Sequence, residues 1–294
     1  MRVCILWLVI ALFADSAFGN TVFTYRAPES DLDVRYDYDY ELLLLALEKT
    51  KKTFGEYELR ASPRMNFPRA QLSARANTLP NFFFKDSYKQ ELTDELTYAP
   101  FPVDLGIVGY RACFVSKTNK YKLESIKGIE DLKKLTYGFG LGWLDTIILR
   151  HHGFIVHEIP SYEGLFKMVE MNRVDLFCRG ANELLGEYNA HKDFKNLTYD
   201  KHISLAYPLP RFFFTSKQNK AAAERVFKGL EIAYHDGSLK KLWLKYYEDS
   251  INFVNLHKRK IFHLTNPMLK GIDKRYEQYI YNPLKGSDTA TVTP

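Results

Sequence analysis

The chain has 294 residues, of which 46% are apolar and 26% charged, and its formal net charge is +6. The length suits two lobes rather than one core, and the composition is that of an ordinary globular protein. Lysines and arginines are interspersed with acids along the chain, which predicts solvated faces and argues against a nucleic-acid-binding stripe.

Residues 1–19 have the features of an export signal. Arg2 supplies a positive charge, an apolar run follows, and Ala17, Phe18 and Gly19 form a small-x-small cleavage site. The run is too short for a spanning helix, which needs about 20 apolar residues. We therefore predict a signal peptide over 1–19, cleaved near Gly19, and a mature periplasmic protein with no membrane span.

The pattern of residues 22–75 predicts two strand–helix pairs. Residues 22–26 and 57–61 have strand patterns, whereas residues 40–53 and 65–75 have helical ones. Tyr25, Arg26 and Arg69 lie at the ends of these elements, so they are candidates for contact with a ligand.

The clearest alternation runs from residue 109 to residue 187. Strand patterns at 135–139, 154–159 and 174–178 are separated by helical patterns at 143–152 and 161–172, and another helix begins at 182. This spacing predicts parallel strands joined by crossover helices. Ligands of such sheets lie outside the carboxyl ends of the strands, here residues 138–143, 160–162 and 179–183.

Several side chains at these ends are candidate ligand contacts. A turn with three glycines precedes the helix at 143–152, and its free N–H groups and dipole favour an anionic group. Trp143 either stacks on a ligand or closes the strand end, and Asp145 either binds an ammonium group or complements the helix dipole. Arg179 needs a partner if it is buried, for which Glu183 or Glu187 is available. The predicted ligand-binding residues are Tyr25, Arg26, Arg69, Arg111, Trp143, Asp145, Thr146, Tyr162, Arg179 and Glu183.

Three segments resemble one family of binding proteins. They are DLKKLTYGFG at 131–140, SYEGLFKMVEMNRVDLF at 161–177, and the long segment from LAYPLPRFFF to LKKLWLKYY at 205–247. The pattern resembles the solute-binding proteins of amino-acid-type ABC transporters, solute-binding protein family 3. The resemblance implies an α/β chain with the type II periplasmic binding protein fold. Each of its two lobes is a mostly parallel sheet flanked by helices, and two hinge strands connect them.

The resemblance also implies the domain boundaries. Lobe 1 would comprise residues 20–110 and 205–270, lobe 2 residues 111–204, and a C-terminal tail residues 271–294, its last residues disordered. The hinge strands, at 109–117 and 205–216, are flanked by Arg111 and Arg211. In amino-acid-binding relatives a first-lobe arginine grips the ligand's carboxylate. The corresponding region here has Lys85 and Lys89 but no arginine, which disfavours an ordinary α-amino acid.

Two cysteines remain after removal of the signal, Cys113 and Cys178. An exported protein could pair them. However, the predicted elements place one at the hinge and the other within the sheet of lobe 2. We therefore expect two buried free thiols.

The sequence predicts a binding protein rather than an enzyme, with no cofactor and no metal. It contains no G-x-S-x-G, H-E-x-x-H or C-x-x-C motif. The predicted function is the binding of a small polar solute, amino-acid-like or carboxylate-bearing, by a monomer that delivers it to an ABC permease or a membrane sensor. One alternative is a sensory or accessory module with a degenerate cleft. Another is a dehydratase-like enzyme in which Glu183 is the general acid.

Overall fold

The computed structural model describes residues 20–31 and 33–285. The predicted signal peptide and the predicted disordered residues at the C-terminus lie outside these ranges. Within them no helix is long and apolar enough to cross a membrane. The strands are β1 Thr21–Tyr25, β2 Tyr57–Ala61, β3 Phe82–Ser87, β4 Leu96–Ala99, β5 Tyr110–Ser116, β6 Thr136–Gly140, β7 Ile155–Ile159, β8 Phe177–Gly180, β9 Leu197–Tyr199, β10 Ile203–Ala206, β11 Arg211–Ser216 and β12 Lys260–His263. The α-helices are α1 Asp37–Phe54, α2 Phe67–Arg75, α3 Gln90–Glu95, α4 Tyr121–Glu124, α5 Ile129–Lys133, α6 Leu144–His151, α7 Tyr162–Glu170, α8 Leu184–Ala190, α9 Lys220–His235 and α10 Ser238–Val254.

The first lobe is built on a sheet of five strands in the order β2-β1-β3-β11-β4. β1 pairs in parallel with β2 and β3, whereas β11 is antiparallel to both β3 and β4. The phenylalanine runs of β3 and β11 are buried, and α1 and α9 pack together. A Cβ on Gly229 of α9 would lie 2.0 Å from the carbonyl oxygen of Ala46 in α1. The absence of a side chain at this position therefore lets the two helices approach closely.

The second lobe has its own strands, in the order β12-β10-β5-β8, with β9 paired to β5. β6 and β7 pair in parallel and are joined to the chain before β8 by a parallel bridge between Tyr137 and Leu176. β10 and β12 are parallel, and β5 runs antiparallel to β8, β9 and β10. Helices α6 and α7 connect β6, β7 and β8 as crossovers. The predicted two-lobed α/β architecture is confirmed.

Two segments join the lobes side by side. The first leads from β4 to β5 and the second, Tyr207 to Pro210, from β10 to β11. The N–H group of Tyr207 donates to the carbonyl of Gly109 at 3.1 Å, and a Cβ on Gly109 would lie 2.3 Å from the Tyr207 carbonyl oxygen. Because Pro208 and Pro210 lack an N–H group and interrupt a strand, the predicted return strand is two strands in different sheets.

The sheet pairing also differs from the predicted boundaries, which placed residues 205–270 with the first lobe. β10 pairs with β5 and β12 pairs with β10, so both strands belong to the second lobe. The chain then returns to the first lobe, where Tyr279 packs on Phe101 with ring centroids 4.5 Å apart. The part of the tail that the structure describes is therefore packed, with Tyr276 and Tyr279 buried.

The prediction that the two cysteines are unpaired is wrong. Cys113 and Cys178 form a disulfide, with Cα atoms 3.8 Å apart. Cys113 lies in β5 and Cys178 in β8, and the antiparallel register of these neighbouring strands places the two residues directly opposite each other. The error came from assigning the cysteines to different parts of the fold, since β5 belongs to the sheet of the second lobe.

Candidate functional site

A small cavity with a volume of about 50 Å³ lies between the lobes. A water molecule needs at least about 10–15 Å³, so the space suits a few waters in this conformation. The first lobe lines it with Arg26, Arg35, Tyr36, Phe67, Lys85, Asp86, Ser87 and Arg211, and the second with Trp143, Leu144, Asp145, Arg179 and Glu183.

The fold brings these residues together because they lie at or just beyond strand ends. Asp86 and Ser87 end β3, and Arg26 follows β1. Across the cleft, Arg179 is the last residue but one of β8, and Asp145 is the second residue of α6, which follows β6. The carboxyl ends of parallel strands are the usual ligand edge of such sheets.

Arg179 is held by two carboxylates of its own lobe. Its Nε lies 2.9 and 2.7 Å from the two carboxylate oxygens of Glu187, and its Nη2 lies 2.9 Å from Glu183. Both Arg179 and Glu187 are 1% exposed. The guanidinium also lies 4.8 Å from the ring centroid of Trp143, at a distance typical of a cation–π contact.

Arg111 and Asp145 form a second buried pair. An Nη2 of Arg111 contacts Asp145 Oδ1, and the Tyr207 hydroxyl donates to the same oxygen at 2.5 Å. The Nε of Arg111 donates to that hydroxyl at 3.2 Å. Asp145 thus has two partners within the protein, and Arg111 lies behind the cavity wall rather than in it.

Glu183 connects the two lobes. Its carboxylate lies 2.9 Å from Arg211 of the first lobe and 2.9 Å from Arg179 of the second, with Arg111 at 3.7 Å. Burial alone would raise the pKa of Glu183, but these three arginines outweigh that effect and hold the pKa well below its usual value. This shift favours the ionised carboxylate at neutral pH. A general acid needs the opposite shift, which disfavours the predicted alternative of an enzyme using Glu183.

The first lobe contributes a further pair of carboxylates. Lys85 Nζ lies 2.7 Å from Asp39 and 3.3 Å from Asp104, and Arg211 lies 3.6 Å from Asp104. Burial raises the pKa of Asp39 to about 6, although the charge of Lys85 opposes this. The two cations of this wall are therefore neutralised within the protein.

A third group of charges surrounds Arg26 and Arg35 in the first-lobe part of the cavity wall. Arg35 contacts Asp33 at 2.6 Å and Glu29 at 3.1 Å, and Arg26 contacts Glu29 at 2.8 Å. The guanidinium of Arg35 lies 3.8 Å from the ring centroid of Tyr162, across the cleft. Arg35 is thus a first-lobe cation stacked on a second-lobe ring.

Asp86 differs from Asp145 and Glu183, the other acids of the cavity wall, in the partners of its carboxylate. It accepts hydrogen bonds from the Gln71 amide at 2.8 Å and from the Ser87 N–H at 2.6 Å. Across the described residues, 20–31 and 33–285, no cationic side chain comes within 4.0 Å of its carboxylate. Burial raises the pKa of Asp86 to about 6, against the opposing charge of Lys89.

The structure brings five of the ten predicted site residues to the cavity wall. These are Arg26, Trp143, Asp145, Arg179 and Glu183. Tyr162 and Thr146 are buried nearby, and the described residues offer no hydrogen-bond partner to either hydroxyl. Tyr25 instead packs on Tyr40, and Arg69 is exposed on α2, away from the cavity.

Sequence reasoning missed several wall residues. Arg35 and Tyr36 lie in a short 3-10 turn before α1, and Phe67 begins α2. Asp86 and Ser87 end a strand that the sequence left unassigned. Arg211 was noticed only as a flank of the hinge, although its position at the start of β11 carries it into the cleft.

Comparison with solved structures identifies the architecture. An ancestral arginine-binding protein bound to arginine matches with a TM-score of 0.57 and 17% identity, over 77% of this chain and 98% of that one. The GluR0 ligand-binding core from Nostoc punctiforme in complex with L-glutamate matches with a TM-score of 0.55 and 15% identity, over 78% and 99%. This chain has the type II periplasmic binding protein fold. A histidine kinase sensor domain with similarity to periplasmic binding proteins also matches, with a TM-score of 0.57 and 11% identity, over 77% and 96%.

At identities of 11–17%, these structural matches show a shared fold alone. No protein-family model and no curated protein sequence matches the chain. In the described part of the chain no cluster of His, Cys, Asp or Glu is arranged to hold a metal ion.

Proposed function

We propose that this protein binds a small polar solute in the cleft between its lobes and presents the bound state to a membrane partner, an ABC permease or a sensor. The observation that carries the proposal is the cavity, which lies at the strand ends and is lined by charged side chains of both lobes. Closing a cleft over a ligand excludes water and strengthens each polar contact. It also creates a surface that a partner can distinguish from the open form.

The fold neighbours support this reading of the cleft. Among them are proteins bound to arginine, glutamine and L-glutamate, and a sensor domain. A small polar solute that carries an amino group, as these three ligands do, is therefore the class that the fold neighbours favour. Export and a monomeric state belong to the same proposal, and the disulfide supports export because disulfides persist mainly in oxidising compartments.

A degenerate cleft is the second candidate, and one observation favours it. Every cation in the cavity wall already has a carboxylate partner, and the lobes are closed over a small space. A module of this kind would couple the lobes through internal ion pairs and bind no solute.

Tryptophan fluorescence separates the two candidates. The chain has three tryptophans, and once residues 1–19 are removed only Trp143 at the cavity and the buried Trp243 remain. Amino acids, amines, carboxylates and short peptides would be titrated into the mature protein. We expect at least one class to change the emission saturably, and Trp143→Phe to abolish that change. A response that persists in Trp143→Phe, or silence across all classes, would favour the degenerate cleft.

A further inference from the structure

The charged side chains of the cleft limit the class of solute more narrowly than the fold does. The first limit comes from the cationic side chains, which are already paired. Each of the five cationic side chains in the cavity wall has a carboxylate oxygen within 3 Å. The pairs are Arg26 with Glu29 at 2.8 Å, Arg35 with Asp33 at 2.6 Å, Lys85 with Asp39 at 2.7 Å, Arg179 with Glu187 at 2.7 Å and Arg211 with Glu183 at 2.9 Å. An incoming carboxylate therefore finds no free cation in this wall.

Glu183 occupies the position from which a ligand carboxylate could contact arginines of both lobes. Its carboxylate receives the charge of arginines from both lobes, Arg211 on one side and Arg179 on the other, and also accepts the Gly180 N–H at 3.0 Å. A ligand carboxylate must displace it to reach those arginines. Leaving one member of a buried charge pair unpartnered costs about 2–5 kcal/mol, so displacement offsets what the new contact would gain.

Asp86, in contrast, is placed to bind a cationic group of a ligand. It is 5% exposed, it lines the cavity, and throughout the described ranges no lysine or arginine nitrogen lies within 4.0 Å of it. Its two hydrogen bonds come from neutral donors, Gln71 and the Ser87 N–H. A ligand ammonium or amidinium group would supply a cation in direct contact with this carboxylate, on which Lys89 and Arg211 act only from a greater distance.

The numbers of acidic and basic groups around the cavity also favour a cationic ligand. The cavity wall and its direct ion-pair partners contain six cationic groups and eight carboxylates. The cations are Arg26, Arg35, Lys85, Arg111, Arg179 and Arg211, and the acids are Glu29, Asp33, Asp39, Asp86, Asp104, Asp145, Glu183 and Glu187. An acid-rich cleft attracts a cation and repels an anion.

We propose, resting on the proposed function above, that the cleft takes a small amine or amidine without a free carboxylate. Asp86 binds its cationic group, and Glu183 excludes carboxylates by occupying the arginines of both lobes. The aromatic rings of Tyr36, Phe67 and Trp143 in the same wall suit the apolar part of such a ligand.

Calorimetric titration with defined probes tests this assignment. Putrescine and agmatine carry cationic groups and no carboxylate, whereas succinate and glutarate carry only carboxylates. We expect an amine probe to bind wild type at least tenfold more tightly than either dicarboxylate. Asp86→Asn should weaken amine binding about thirtyfold or more, the equivalent of about 2 kcal/mol. The matched control is Asp131→Asn, whose carboxylate lies on α5 outside the cavity, and it should bind as wild type does.

The reciprocal variant tests the exclusion of carboxylates. Glu183→Gln keeps the shape of the side chain and removes its charge, so it should raise dicarboxylate affinity at least tenfold. A second readout needs no variant. Because burial holds the pKa of Asp86 near 6, with Lys89 and Arg211 the charges that oppose this, amine binding at pH 6 should release protons. The binding enthalpy will then differ between buffers of different ionisation enthalpy.

The outcomes separate this inference from the proposed function. Tighter binding of a dicarboxylate than of the amines, with Asp86→Asn unaffected, would overturn the amine assignment and leave solute binding intact. Amine binding without proton release, equally strong in Asp86→Asn, would also overturn it. If none of the four probes binds measurably, the amine assignment is overturned too. The fluorescence titration with the wider set of compounds tests solute binding independently.

Discussion

Arg179 is almost fully buried, and its guanidinium lies between the carboxylates of Glu183 and Glu187. Sequence reasoning allowed two roles for it, a ligand contact and a structural partner of these two acids. The geometry supplies the structural partners, because both acids lie within 3 Å. A ligand contact would have to use Nη1, which takes no part in these contacts with Glu183 and Glu187.

We therefore predict that Arg179→Ala destabilises the protein strongly. Removing one member of a buried ion pair costs about 3–5 kcal/mol, since it leaves an uncompensated charge. Urea denaturation should show a loss of that size in the free energy of unfolding. The control is Arg150→Ala, whose pair with Glu158 at 3.4 Å is half-exposed and should contribute less than about 1 kcal/mol. Equal small losses in both variants would contradict the structural role.

A second prediction at this scale concerns Asp86 and pH. Its folded-state pKa of about 6 lies above the ordinary value of 3.8, so the native state holds its proton more tightly than the unfolded chain does. Its contribution to stability is complete below about pH 4 and is lost as the pH rises through 6. A shift of about two units corresponds to about 3 kcal/mol.

Comparison of wild type with Asp86→Asn across pH 4 to 7.5 isolates this contribution. The free energy of unfolding of wild type should fall relative to that of the variant as the pH rises. A difference that is constant with pH, or one that grows in favour of wild type, would show that Asp86 titrates normally.

How far the site could be predicted depended on the kind of position each residue occupies. Arg179 lies near the carboxyl end of β8 and Asp145 just after β6. Both strands have clear crossover spacing in the sequence, so the strand-end rule located these residues. Arg35 lies in a connecting segment with no periodic pattern, and only its contact with Tyr162 of the other lobe reveals its position. Ion-pair partners were harder to predict than positions. The pair of Glu183 and Arg211, for example, joins residues that are 28 positions apart and lie in different lobes.

At the scale of elements, alternation predicted the strands and helices of the second lobe well, because each crossover unit is local in sequence. Sheet membership was less predictable. β10 and β11 are separated by four residues that include Pro208 and Pro210, and the two strands enter different sheets. The disulfide was missed for the same reason, since the register between β5 and β8 pairs residues 65 positions apart.

The close packing of α1 against α9 gives a prediction of its own. In Gly229→Ala the new Cβ would overlap the Ala46 carbonyl, so the helices must separate, at a cost of about 1–3 kcal/mol. Thermal or urea unfolding measures the loss. Gly128→Ala is a control without a steric clash because nothing lies within 4 Å of its added Cβ. Gly128 is the N-cap of α5, where alanine is less favourable, so this variant should lose up to about 1 kcal/mol. Similar values for both would mean that α9 tolerates the extra methyl group.

At the scale of the whole molecule, contacts across the cleft hold the lobes together without a ligand. Glu183 pairs with Arg211, the Ser30 hydroxyl donates to Glu163 at 2.8 Å, and Arg35 stacks on Tyr162. The last of these joins a first-lobe cation directly to a second-lobe ring, so its removal should favour opening of the cleft.

We predict that Arg35→Ala shifts the resting population towards an open form. A stacked cation contributes about 0.5–2 kcal/mol, which changes the ratio of closed to open forms up to about thirtyfold. Small-angle X-ray scattering should give a larger radius of gyration than for wild type. Arg60→Ala, an exposed arginine at the edge strand β2, should leave the radius unchanged. An unchanged radius in Arg35→Ala would show that the other contacts suffice.

The order in which the chain supplies its strands has a consequence for its folding during synthesis. β11 lies between β3 and β4 and pairs Phe214 with Phe84, so the first sheet lacks an inner strand until about residue 216. The second lobe in turn waits for β12, which ends at His263. A nascent chain therefore cannot complete either sheet until most of its length has been made. We expect such a chain to fold late in its synthesis, which would suit the proposed export through a narrow translocation channel.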